Sequence, residues 1–131
     1  MMRKTMHRSM MQVYVRGSDK AVALYQKAFG AKLVVSHPND DGTYMHAELD
    51  VYGQILALSE LPEGEAITGN TMQFCLHFGK GKEALVKRIY ETLKEDCIEI
   101  TAPITAPGEC PWSPCLFGLI DQFGVNWCVF V

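Results

Sequence analysis

The chain has 131 residues, 48% of them hydrophobic and 21% charged, which are globular values and enough apolar side chain for one real core. A formal net charge of −3 and a pI near 5.8 exclude the basic stripe that nucleic-acid binding leaves on a sequence. No apolar run approaches the roughly 18 residues that a membrane-spanning helix requires.

The opening MMRKTMHRSMM is basic but lacks the apolar stretch of a secretory signal. Met1, Met2, Met6 and Met10 are all candidate starts, so these residues read as a poorly ordered extension. Residues 10–15, MQVYV with the Met before it, read as a first strand ended at Gly17. Ser18 or Asp19 is then placed to cap a helix over KAVALYQKAFG, with Ala21, Val22, Leu24, Tyr25, Ala28 and Phe29 at helical spacing and Gly30 as its stop. Residues 32–37 form a second strand, and Pro38 to Gly42 a polar turn. Residues 44–59 then read as a hairpin turning at Asp50-Val51-Tyr52-Gly53.

Residues 60–70, with Pro62, Gly64 and Gly69, are the natural join between two halves. Residues 72–78 read as a fifth strand and 82–96 as a helix with a stripe of Leu85, Ile89 and Leu93. Residues 97–101 read as a sixth strand. The stretch from Ala102 to Pro114 is Pro-rich and irregular, and loops of that length are commonly functional. Residues 115–131 close the chain as two apolar strands around Asp121-Gln122-Phe123-Gly124, where Asp bonds its own backbone and Gly takes the conformation a Cβ forbids.

The Asp-x-aromatic-Gly turn thus appears twice, once in each half, which points to a duplicated unit. Each half reads strand–helix–strand–strand–strand. The expected fold is α+β: one domain over residues 1–131, built of two βαβββ halves, about 10–60 and 71–131. The mixed sheet curls around a concave cleft, with the helices on its outer face. Five cysteines, an odd count without C-x-x-C spacing, suggest free thiols in a reducing, cytoplasmic compartment. Cys110 and Cys115 flank Pro-Trp-Ser-Pro and could approach each other, although cytosolic disulfides are rare.

Several short motifs occur in order: Ala21-x-x-x-Tyr25-x-x-x-Phe29-Gly30, His46-Ala47-Glu48-Leu49, Leu56-Ala57-Leu58-Ser59, Trp112 followed by Phe117-Gly118, and Asp121-x-Phe123-Gly124-Val125-x-Trp127. Together they resemble the vicinal-oxygen-chelate superfamily of glyoxalase I, bleomycin-resistance proteins and extradiol dioxygenases, and within it the PhnB-like branch. The resemblance implies a homodimer and a ligand in the cleft. In the metalloenzymes of that superfamily one divalent ion is held by His, Glu or Gln from the first, fourth, fifth and eighth strands. Those positions fall here on Met10, on Ala57 to Ser59, on Gln73 and on Cys128. Hard divalent ions prefer oxygen and imidazole donors, so this set predicts no metal and no other cofactor.

Strand alternation places Tyr44, His46, Glu48 and Asp50 on one face, so His46 and Glu48 could share a site as acid and base, or simply form a solvated strand face. Gln73, Cys75 and His77 share a face of the fifth strand, and a packed histidine is the plainer reading of His77. Cys128 lacks a sequence neighbour that would make its thiol reactive. Trp127 is expected to pack on the helices, and Trp112 and Phe117 to line the mouth of the cleft, with the Ala102–Pro114 loop as a lid. No nucleophile elbow, P-loop or dinucleotide fingerprint is present. The favoured expectation is a protein that binds a modest, partly apolar small molecule, with Met10, Gln12, Tyr14, His46, Glu48, Gln73, Cys75, Trp112 and Cys128 lining the site. Nucleic acid and membrane are not expected partners. The alternative is a metal-dependent lyase, isomerase or dioxygenase using Gln73, His77 and Glu48; a third is an interaction module without ligand.

Overall fold

A computed structural model describes residues 5–131; Met1 and Met2 of the basic extension lie outside the described residues. The first module comprises β1 (Met11–Val15), α1 (Ser18–Phe29), β2 (Lys32–Pro38), β3 (Tyr44–Val51) and β4 (Gln54–Glu60). The second comprises β5 (Phe74–His77), α2 (Glu83–Leu93), β6 (Glu99–Ala102), β7 (Leu116–Ile120) and β8 (Asn126–Phe130). Each module is a four-stranded mixed sheet, ordered β1-β4-β3-β2 and β5-β8-β7-β6. The two orders are the same permutation, and in each the first strand runs parallel to the last while the remaining pairs are antiparallel. The α+β fold of two βαβββ modules is therefore as the sequence predicts, with the hydrogen bonding divided into two ladders that do not close into a barrel.

α1 forms where Ala21, Val22, Tyr25, Ala28 and Phe29 supply one apolar face, and all five are buried. Its start differs from the expectation. Neither Ser18 nor Asp19 caps it; Gly17 is the N-cap residue, with no side-chain cap bond. The carboxylate of Glu60, at the end of β4, takes that role across the module. It accepts from Gly17 N at 3.0 Å, from Ser18 N at 2.8 Å and from Ser18 Oγ at 2.8 Å. A carboxylate at a helix N-terminus satisfies orphan N–H groups and faces the positive end of the helix dipole. The far end stops at Gly30, whose φ of 62° suits a residue without Cβ.

α2 buries Val86, Ile89, Tyr90 and Leu93, leaving Leu85 half-buried. The stripe is rotated from the expected one because Tyr90 packs on Phe117, ring centroids 4.9 Å apart. Phe117 itself is fully buried, so it belongs to the core and does not line a cleft mouth as the sequence suggested. β5 is shorter than read, and β6 starts later because Cys97 still belongs to the turn leaving α2, its N–H bonding Lys94 O at 3.1 Å.

The modules share one core. Trp127 of β8, fully buried, meets Phe29 at 5.1 Å and Tyr25 at 5.7 Å between ring centroids. The repeated turns have diverged. Asp50 is exposed and accepts only from Gly53 N among the described residues, whereas Asp121 is fully buried and accepts four hydrogen bonds. All five cysteines are free thiols, so Cys110 and Cys115 are not joined.

Candidate functional site

In the first sheet, Leu49, Leu56 and Leu58 point into the core, so alternation turns their neighbours to the opposite face. The register lines up Gln12, Ala57, Glu48 and Val35 across β1, β4, β3 and β2. Glu48 is the charged member of this row, and its side chain is only 3% exposed. Both of its oxygens are used. Arg8 Nη1 donates to Oε1 at 2.6 Å and Arg8 Nη2 to Oε2 at 2.9 Å; His46 Nε2 lies 2.8 Å from Oε2. The Arg8 hydrogen bonds, and after them that of His46, outweigh burial and hold the Glu48 carboxyl at about 2, far below its ordinary value. With the carboxylate ionised, the facing His46 nitrogen must be the donor. His46 also faces His37 across the β2–β3 pair, ring centroids 6.4 Å apart.

Beside this group Gln12 Nε2 donates to Ser59 Oγ at 3.1 Å. Tyr14, two residues along β1, pairs opposite Ser59 and is 58% exposed. Met10 precedes β1 and is half-buried. The extension read from the sequence is thus partly engaged: Arg8 is the main partner of Glu48.

In the second sheet the corresponding face carries Gln73, Asn126, Cys75, Cys128, His77 and Phe130. Gln73 Nε2 donates to Asn126 Oδ1 at 3.1 Å and to Trp127 O at 3.3 Å. Cys75 stands directly opposite Cys128 across the parallel β5–β8 pair. Burial, with the neighbouring Cys75 adding to it, pushes the Cys128 thiol up to about 11. That fits the packing role expected for it. The His77 ring stacks on Phe130 at 4.5 Å with 11° between planes.

The nine predicted lining residues do not converge on one point. A cleft of about 390 Å³ between the modules takes in Cys75 and His77 together with Met11, Gln54 and Tyr52. A second, of about 270 Å³, is bordered by Tyr14, Phe74 and Phe123. His46 and Glu48 form their own cluster with Arg8, and no hydrogen bond joins it to the Gln73 group among the described residues. Trp112 stands 72% exposed on the Ala102–Pro114 loop. Its neighbour Ser113 is buried and anchors the loop through Oγ contacts to Cys115 O and Val131 O at 2.9 and 2.8 Å. Sequence reasoning missed Arg8, Ser59 and Glu60 as members of polar clusters, because each is joined to its partners only through the sheet register or a distant segment.

A βαβββ duplication with a polar face on each module defines a class of fold, and the sequence comparison agrees. Residues 7–129 match the model of the Glyoxalase/Bleomycin resistance protein/Dioxygenase superfamily, and the chain belongs to that superfamily. No curated protein matches it. Among solved structures it is similar to the PhnB protein from Bacillus cereus, with 20% identity, a TM-score of 0.76 and coverage of 95% of this chain and 98% of that one. TioX from Micromonospora sp. gives 22% identity and a TM-score of 0.61 over 94% and 98% of the two chains. The fosfomycin resistance protein FosX from Listeria monocytogenes, in complex with Mn(II) and sulfate, gives 13% identity and a TM-score of 0.68 over 98% and 91%.

The metal positions implied by the family do not suit a divalent ion here. Met10 offers a thioether. Gln73 offers one neutral amide oxygen, its nitrogen being held by Asn126 Oδ1 and Trp127 O. Burial disfavours the Cys128 thiolate that a metal ion would need. Residues 57–59 offer one hydroxyl, Ser59, already bonded by Gln12. Glu48, the nearby carboxylate, is taken by Arg8 and His46. No group of three His, Cys, Asp or Glu side chains in metal-binding range occurs among the described residues.

Proposed function

We propose that this chain is a cytoplasmic, homodimeric small-molecule-binding member of the superfamily, holding a partly apolar ligand on its concave faces without a resident divalent metal. One observation carries the reading: the family's metal positions hold Met10, Ala57 to Ser59, Gln73 and Cys128, none of them a carboxylate, and the buried carboxylate nearby, Glu48, is already held by Arg8 and His46 of the chain itself. What remains on the two faces is amides, thiols, imidazoles and aromatic rings, which suits binding by shape and hydrogen bonding. Pairing of two chains is supported by the open edges of β1, β2, β5 and β6 and by exposed apolar side chains such as Tyr14, Val34, Met45 and Ile100. The five free thiols support a reducing compartment.

The test combines three measurements on untagged protein purified without chelator. Elemental analysis should find no stoichiometric Zn, Fe, Ni or Mn. Sedimentation should give a dimer at micromolar concentration. A thermal-shift panel of metabolites and aromatic antibiotics should yield a compound that raises the midpoint, since a ligand of the folded state stabilises it. Near-equimolar metal, lost when Gln73 or His77 is replaced by Ala, would overturn the reading and promote the metal-dependent enzyme. A panel without a binder would favour an interaction module.

A further inference from the structure

We propose that the Glu48–His46 pair is a binding subsite for a planar cation, a guanidinium or amidinium group on a small ligand, and that Arg8 occupies it in this chain as a built-in competitor. The inference names the ligand class for the binding function proposed above and rests on it.

A buried carboxylate is costly unless a cation and hydrogen bonds compensate it. In a sheet, opposite charges that face each other on paired strands stabilise one another. Glu48 has no such partner: its cross-strand neighbours are Val35 and Ala57. The compensating charge comes instead from 40 residues away, from a segment before β1 that forms neither helix nor strand and whose residues 5–9 are exposed. Arg8 itself remains 45% exposed along its side chain, and its fork is its one hydrogen-bonding attachment among the described residues. The strand face is therefore built around an anion, while the cation arrives on a tether.

The shape of the subsite selects a planar cation. The two Glu48 oxygens take one N–H each from the two terminal nitrogens of a single guanidinium, the bidentate arrangement that a point-charge ammonium cannot reproduce. His46 holds the carboxylate from the side and fixes its plane. The Gln12–Ser59 pair, on the next strands of the same face, offers a ligand's remaining polar group a donor or acceptor. A tethered group competes at an effective concentration in the millimolar range, so a free ligand must displace the Arg8 segment to bind. Removing Arg8 should expose the subsite.

The probe is methylguanidinium chloride, with methylammonium chloride as the point-charge control. Binding is read by two-dimensional NMR on the full chain, at concentrations well below those that denature. The Arg8→Ala variant should show saturable shifts centred on residues 46–48, with an affinity about tenfold or more above wild type. Methylammonium should produce none, and Arg8→Ala/Glu48→Gln should lose the methylguanidinium response. If Arg8→Ala does not fold alone, its refolding by methylguanidinium but not by methylammonium reads the same site. Arg8→Lys, which keeps a charge without the fork, should bind methylguanidinium more tightly than wild type. Equal binding by wild type and Arg8→Ala, or an unchanged response in the Glu48→Gln double variant, would overturn the inference. A panel compound that binds wild type and Arg8→Ala alike while methylguanidinium is inert would sink this inference alone. A panel without binders would sink the broader reading alone.

Discussion

The Tyr25 hydroxyl of α1 donates to Asp121 Oδ2 at 2.6 Å, tying the helix of the first module to the last hairpin of the second across 96 residues of chain. The same oxygen accepts from Trp127 Nε1 at 2.9 Å, while Oδ1 accepts from the backbone of Phe123 at 2.8 Å and Val125 at 3.1 Å. Burial and the adjacent carboxylate push the Tyr25 hydroxyl well above the usual tyrosine range. The Asp121–Trp127 motif is thus an internal clamp between the modules.

Replacing Asp121 with Ala should cost about 3 kcal/mol or more, since each buried donor left unpaired costs about 1–3 kcal/mol. Asp121→Asn separates the partners. Its amide nitrogen would face Trp127 Nε1–H, donor against donor, whereas the Tyr25 hydroxyl can rotate to accept. A urea-unfolding double-mutant cycle should therefore show Trp127→Phe costing less in the Asn background than in wild type, and Tyr25→Phe costing about the same in both. Equal penalties for Trp127→Phe in the two backgrounds would contradict the assignment.

Gly124 is required by its backbone conformation. Its φ is +88°, and a Cβ there would stand 2.8 Å from Thr68 Oγ1. Gly124→Ala should cost about 1–3 kcal/mol from backbone strain alone. Gly69→Ala, where φ is ordinary and nothing lies within 4 Å, should leave the urea midpoint within error.

The modular plan was legible because each half carries its own period-3.6 and period-2 patterns and its own turn. Alternation put His46 and Glu48 on one face, where they meet, and Trp127 packs on α1 as expected. Three features were not legible. Glu60 as the cap of α1 depends on β1 lying parallel to β4, which pairs Met11 with Leu56 and Val15 with Glu60 and leaves no local pattern. Arg8 sits in a segment with no periodicity, so nothing in its surroundings pointed to Glu48. Phe117 alternates with Leu116 and Gly118 in a strand buried on both faces, where periodicity cannot say which side meets Tyr90.

The opposed thiols should react unequally. Cys75 is exposed, while burial raises Cys128 to about 11. The thiolate is the nucleophile, so brief iodoacetamide treatment at pH 8 should alkylate Cys75 well ahead of Cys128. Peptide mass spectrometry reads the two sites separately. Comparable labelling of the two would show that Cys128 is not shielded in the half-buried position opposite Cys75.

The Glu48 cluster makes stability depend on acid pH in a defined window. The group's ordinary value is 4.5, and in the folded chain it lies at about 2. A carboxyl depressed on folding contributes in full above its unfolded value, and the contribution disappears as pH falls through the folded one. The stabilisation should therefore be constant from neutral pH down to about 5 and decline between pH 4.5 and 2. Carboxyl-carbon NMR should show Glu48 titrating last among the glutamates. The Arg8 hydrogen bond is the larger cause and that of His46 the second, so Arg8→Ala should raise the Glu48 midpoint more than His46→Ala does. Arg8 is also the more exposed partner, at 45% against 32% for His46, and its share should weaken more with added salt. A wild-type Glu48 midpoint near 4.5, or an Arg8→Ala variant with an unmoved midpoint, would show that the ion pair does not hold in solution.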